Sequence, residues 1–113
     1  MKALSVKQPW ANMIASGQKS IETRTWATNH RGLLLIVSSK TPAIAPAGMA
    51  LAVANLVDCR PMSALDEPSA QCSKYDGAYA WVLERIRAIR PFPVRGQPGL
   101  FEVELPEDMV DLG

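Results

Sequence analysis

The stretch LSVKQPWANMIASGQKSIETRTW, residues 4–26, decides how this chain folds. Ala3 to Val6 reads as a short extended piece. Pro9 suits the first turn of a helix, where its missing N–H costs nothing. Trp10, Met13 and Ile14 follow at i, i+3 and i+4, giving the Pro9–Ser16 helix one apolar stripe, and Gly17 is a natural stop. From Ser20 to Trp26 the pattern changes to alternation. Ile21, Thr23 and Thr25 share one face; Ser20, Glu22, Arg24 and Trp26 share the other. Lys19, Glu22 and Arg24 therefore fall where a helix hands over to a strand, beside the indoles of Trp10 and Trp26. A regular strand sets Lys19 and Glu22 on opposite faces. They converge only if Gln18 to Ser20 still belongs to the turn after Gly17, or a bulge intervenes. Without convergence the three are surface ion pairs worth ~0–1 kcal/mol each.

Working outward, Asn29 to Gly32 reads as a turn and Leu33 to Val37 as a buried central strand. Thr41 to Gly48 holds two prolines and is a loop with at most one helical turn. Met49 to Asp58 is a further strand. Arg60 to Gly77 is the least regular region, marked by Pro61, Asp66, Pro68 and Asp76. Ala78 to Ile89 is rich in β-branched and aromatic residues and precedes Pro91 and Pro93, which favours a long, bulged strand over a helix. Arg95 to Gly99 is a turn-rich loop. Leu100 to Leu105 alternates with Phe101, Val103 and Leu105 inward, and Pro106 ends it. Five to six strands with one short N-terminal helix packed at an end predict a mainly β, α+β chain whose sheet closes or nearly closes into a barrel.

At 113 residues the chain is read as one domain, residues 1–113. A 48% apolar content argues against disorder. The formal net charge of +1 supplies no global basic field, so any nucleic-acid contact must come from a local patch. Cys59, Cys72 and the single His30 lack metal-ligand spacing, so neither a structural metal nor a cofactor is expected, and free thiols fit a reducing compartment. No apolar run approaches the ~18 residues of a membrane span, and no targeting segment stands at the start. A cytoplasmic location with no membrane partner is the resulting expectation; composition leaves the oligomeric state open.

The polar triad allows several chemistries. Arg24 offers a planar fork of donors for phosphate or carboxylate, and Lys19 a point charge. Glu22 can orient both cations or shuttle a proton. A lysine partly buried beside an arginine has a lowered pKa, the condition for a general base. Trp10, Trp26, Trp81 and Tyr79 could wall a nucleobase, with Trp81 the most core-like of them. His30 and Arg31 sit in a turn near the strand entrance, His30 as a solvated turn residue. Ser73, Lys74 and Tyr75 are candidates to cover the pocket.

The same stretch resembles the opening signature of ASCH domains, a branch of the PUA-like superfamily: a strand, a QPW-like triplet, and a helix ending in G-x-K-x-x-E-x-R. Here that motif stands complete as Gly17, Lys19, Glu22 and Arg24. The likeness continues through HRGLLLIVSSK, GMALAVANLVDC and YAWVLERIRAIRPFPVRGQPGLFEVELPE, with a contracted segment near Thr41 to Gly48. It implies a PUA-like β-barrel with a pocket between helix and barrel that binds single-stranded RNA or a modified nucleoside or nucleotide. Lys19, Glu22, Arg24, Gln8, Trp10, Trp26 and Arg31 are the ligand contacts this suggests, and a regulatory role in RNA metabolism is the leading function. Hydrolase activity is the alternative. One branch of the family hydrolyses 4-acetylcytidine, with its lysine falling on Lys19; its threonine falls on Glu22, and Glu84 is the nearest match by order to its glutamate. Other members are single-strand ribonucleases. As an enzyme, the chain would use Lys19 and Glu22 catalytically; a protein-interaction role is the remaining class.

Overall fold

Side-chain alternation and the turn at Gly17 translate into a single mixed sheet. The computed structural model describes residues 1–112, whose elements run β1 (Lys2–Val6), α1 (Trp10–Ala15), β2 (Ile21–Arg24), β3 (Gly32–Ser38), β4 (Met49–Pro61), a 3-10 turn (Ala64–Asp66), α2 (Glu67–Ala70), β5 (Tyr79–Pro93), β6 (Leu100–Glu102) and a second 3-10 stretch (Glu107–Leu112). The strand order is β2-β5-β4-β3-β1-β6. Among the described residues only β1 and β3 run parallel. The sheet curls into a half-barrel, the PUA-like architecture anticipated above. Its two ends, β2 and β6, are not hydrogen-bonded to each other, so the wall stays open beside β1 and β2.

Curvature comes from β4 and β5. Their register slips between Ala50 and Ala52, Val53 and Asn55, and Leu56 and Asp58. Arg85 takes φ 51° at the second of these. Each slip inserts unmatched residues and bends the ribbon, as the expected bulge in β5 requires. β5 nevertheless outruns its expected end at Ile89 and continues through Pro91 and Pro93, which lie opposite the start of β4. Beyond Val82 no strand pairs with the other edge of β5, so a proline there forfeits no ladder bond. β6 is shorter than expected because its partner β1 runs out: Lys2 faces Glu102, and Val103 N–H reaches only the Met1 carbonyl. The irregular Arg60–Gly77 region contains two short helices. A reciprocal cap between Ser63 and Asp66 starts the first, and Arg60 grips Asp66 with two hydrogen bonds of 2.7 and 3.0 Å.

The main core lies on the concave side. Leu4, Val6, Leu34, Ile36, Leu56, Trp81 and Leu83 line it, and α1 plugs it with Ala11 and Ile14. A second cluster around Leu35, Val53, Phe92 and Phe101 packs on the other face, and a third, around Ile21, Met62, Ala70 and Ala80, seats α2 against β2. Among the described residues no helix is long and apolar enough to cross a membrane. Ile14 is fully buried and pins α1 to the sheet. Ile14→Ala should therefore cost about 2–5 kcal/mol of unfolding free energy, read by urea denaturation followed through tryptophan fluorescence; a cost below about 0.5 kcal/mol would contradict this packing role.

Candidate functional site

The turn after α1 settles the parity question. Gly17, at φ 82°, adopts a conformation that side chains resist, and its N–H closes on the Ile14 carbonyl. Lys19 N–H then bonds the Met13 carbonyl at 3.0 Å, and Ser20 N–H the Ser69 carbonyl at 2.9 Å. Lys19 belongs to this turn; β2 begins only at Ile21. Glu22 and Arg24 lie opposite Trp81 and Tyr79 of β5, which packs both on the concave side. Freed from strand alternation, the lysine side chain reaches the same side.

The three charged heads meet. Glu22 Oε1 lies 3.6 Å from Lys19 Nζ and accepts from the Thr23 N–H at 3.1 Å. Glu22 Oε2 accepts from Arg24 Nε at 3.2 Å and from Nη2 at 3.0 Å. Lys19 Nζ also donates to the carbonyl of Ala70, at the end of α2. The Lys19 side chain is only 1% exposed and that of Glu22 9%, whereas that of Arg24 is 25% exposed. Arg24 Nη2 further donates to the Ser5 carbonyl at 2.6 Å. Ser5 lies one residue past the last β1–β6 pair, so a side chain spans the opening that backbone pairing leaves. Arg24 Nη1 makes no hydrogen bond among the described residues.

A cleft of about 530 Å³ opens over this network, between β1, the N-terminal end of α1, β2 and the segment after α2. Its aromatic lining is Trp10, Trp26 and Tyr75. Trp10 is 39% exposed. Trp26 meets Trp81 edge-on, with centroids 4.8 Å apart, and its carbonyl accepts from the Trp81 indole N–H at 3.2 Å. Trp81 itself is fully buried and supports Trp26 from behind. Lys7, Ser39 and Cys72 complete much of the polar rim, and Cys72 Sγ lies 3.9 Å from Thr23 Oγ1.

The candidates divide accordingly. Lys19, Glu22, Arg24, Trp10 and Trp26 line the cleft, and so does Tyr75, whereas Ser73 and Lys74 do not. Gln8 is buried and committed to the fold: its Oε1 accepts from Asn12 N–H, and its Nε2 donates to Asn12 Oδ1 and to Ser38 Oγ at 2.9 Å. That pattern caps the first turn of α1 and ties it to β3. Arg31 lies outside the cleft, donating to the Thr28 and His30 carbonyls and facing Asp58 at 3.9 Å. His30 Nε2 bonds the Leu33 carbonyl. Tyr79 packs with the core, and Glu84 is exposed on β5 away from the cleft. Cys72 and the Ala70 carbonyl had no local signal, because both reach Lys19's surroundings from about fifty positions along the chain.

Burial holds the Lys19 pKa below the ordinary lysine value of 10.5; the attraction of Glu22 offsets this in part, and the Arg24 guanidinium adds a smaller depression. Between the lowered native pKa and 10.5 the unfolded chain binds more protons at Lys19, so Lys19's contribution to stability rises with pH across that window. Stability of wild type relative to Lys19→Met should accordingly increase with pH as 10.5 is approached from below in urea titrations. A flat difference across that range would mean the ammonium is not held in a desolvated site.

The description "ASCH domain" belongs to the family model that matches residues 4–93. The activating signal cointegrator 1 proteins of Homo sapiens and Mus musculus align with 25% and 24% identity over 89% of this chain, which spans about a fifth (22%) of their length. The crystal structure of an ASCH protein from Zymomonas mobilis superposes with a TM-score of 0.71 at 16% identity, covering 97% of this chain and 90% of that one. A tyrosine-to-phenylalanine variant of the same protein gives 0.69 at 18% identity over 91% and 89%.

Proposed function

The chain belongs to the ASCH domain family, and from that premise we propose that its cleft binds single-stranded RNA or a nucleotide-like ligand, serving recognition in RNA metabolism. The observation that carries this reading is the state of Arg24. Two of its three nitrogens are fixed by Glu22 and the Ser5 carbonyl, and its Nη1 is unspent beside three aromatic rings. A guanidinium locked in place with donors left over is pre-organised for a phosphate oxygen or a base carbonyl. Trp10, Trp26 and Tyr75 offer π-faces to a splayed base, and base–aromatic stacking is worth ~1–3 kcal/mol per base.

In this reading Lys19 is a positioning residue. Its ammonium is buried against Glu22 and the Ala70 carbonyl, where it holds the carboxylate that aims Arg24. The hydrolase alternative asks more of the same group. A general base must reach a water on the substrate within ~3 Å, and Lys19 Nζ is turned towards the Ala70 carbonyl and Glu22, with only 1% of its side chain exposed. Glu22 likewise already accepts from Thr23 and Arg24 and is paired with Lys19. Binding without turnover is therefore favoured over amide or phosphodiester hydrolysis.

Titration of oligoribonucleotides against tryptophan fluorescence tests the proposal. Saturable, salt-sensitive quenching is expected, with single strands preferred over duplex and no product formed. Arg24→Ala and Trp26→Ala should each weaken binding by roughly tenfold, the scale of one charged contact or one stacked base. Unchanged affinity in both variants, with their folds intact, would place any RNA contact elsewhere on the surface.

A further inference from the structure

Beside the main cleft lies a second hollow of about 280 Å³, lined by Ser5, Ser38, Ser39, Lys40, Thr41, Gly48, Gly96, Gln97 and Pro98. The two spaces share the walls Ser5 and Ser39, so they adjoin. Their linings differ in kind. The cleft carries aromatic rings and the charged network, whereas the hollow carries hydroxyls, backbone and one ammonium, with no aromatic side chain.

Lys40 is the cation of this hollow, and its stem is constrained. A Cβ built on Gly48 would stand 2.5 Å from Lys40 Cε, so the methylenes lie directly over that glycine's backbone. Gly48 is itself held by its N–H on the Ser38 carbonyl and by Val94 N–H on its own carbonyl. Lys40 thus rests on a fixed platform. Among the described residues its ammonium enters no ion pair. The Ser39 hydroxyl faces the same loop, donating to the Thr41 carbonyl and accepting from the Thr41 N–H at 3.1 Å. With the Ser39 proton spent on Thr41, the donors left to the hollow are the Lys40 ammonium and the Ser5 and Thr41 hydroxyls, which donate to nothing among the described residues; such donors with no aromatic ring suit an anionic tetrahedral oxygen cluster better than a base.

We infer that this hollow receives the phosphodiester adjoining the nucleotide held in the cleft, so that the ligand is a strand of at least two nucleotides rather than a free nucleoside. The inference rests on the cleft reading above and extends it by naming the substrate class. Ser5 and Ser39 are the threshold over which the sugar passes. Lys40 neutralises the phosphate on the far side, while Arg24 serves the near side.

A matched set of probes separates the two claims: the four ribonucleosides, the corresponding ribodinucleoside monophosphates, and three proteins, namely wild type, Lys40→Gln and Lys74→Gln. Lys74 is an exposed lysine outside both spaces, so its variant controls for loss of charge alone. Dinucleotides should bind wild type roughly tenfold more tightly than nucleosides. Lys40→Gln should lower dinucleotide affinity about 3–10-fold and reduce the slope of log K against log salt by about 0.7, the value for one single-strand phosphate contact. Nucleoside affinity should not change in Lys40→Gln, and Lys74→Gln should behave as wild type. Equal binding of nucleosides and dinucleotides, or equal losses in the two lysine variants, would overturn the inference and leave the cleft reading standing. If neither class binds wild type, the cleft reading falls, and the phosphodiester site falls with it.

Discussion

A single carboxylate organises this molecule's polar end. Glu22 holds the Lys19 ammonium through one oxygen and the Arg24 guanidinium through the other. Charges so far from water are tolerated only when paired and hydrogen-bonded, and losing one member of such a set typically costs about 3–5 kcal/mol. Everything around the cleft depends on that arrangement. Lys19 needs Glu22 to sit buried at the end of α2, and Arg24 needs Glu22 to reach across to Ser5. The opening between β1 and β2 is thereby bridged by a side chain where a closed barrel would use backbone.

The half-barrel explains why the site can exist. Full closure would pair the two end strands, β2 and β6, across this mouth. With β2 at one end of the order and β1 bounded by a short β6, the concave side stays accessible at one mouth. α1 closes the far end with Ala11 and Ile14, so the opening is confined. The core contributes directly as well: Trp81, wholly inside, fixes the ring and backbone of Trp26 that face the cleft. Core packing and the shape of the cleft are therefore the same set of contacts seen from two sides.

Much of this was legible in residues 4–26. The helix stripe, the stop at Gly17 and the alternation from Ser20 to Trp26 are local patterns, and local patterns fix local geometry. Gly17 makes a turn at Lys19 one of two routes to convergence; the hydrogen bonds of the Lys19 and Ser20 N–H groups decide for the turn. What escaped the sequence was non-local. The Ala70 carbonyl under Lys19 depends on α2, whose capping signal, Ser63 with Asp66, lies within a stretch dominated by turn residues. The run of β5 through Pro91 and Pro93 depends on which of its edges has a partner, which no single segment states. The family signature names Gln8 as a ligand contact; the positions of Asn12 and Ser38 show its amide engaged within the fold.

Side-chain nitrogen NMR reads the coupled Lys19–Glu22–Arg24 network itself. With lysine and arginine labelled with nitrogen-15, a single-stranded oligoribonucleotide is titrated in at low salt. Arg24 Nε and Lys19 Nζ should shift together and saturably, because Glu22 couples them, while Arg31 Nε stays at its free position. Movement of Arg31 or of the β5 arginines with Lys19 and Arg24 silent would contradict the account and move the binding face to the outside of the sheet.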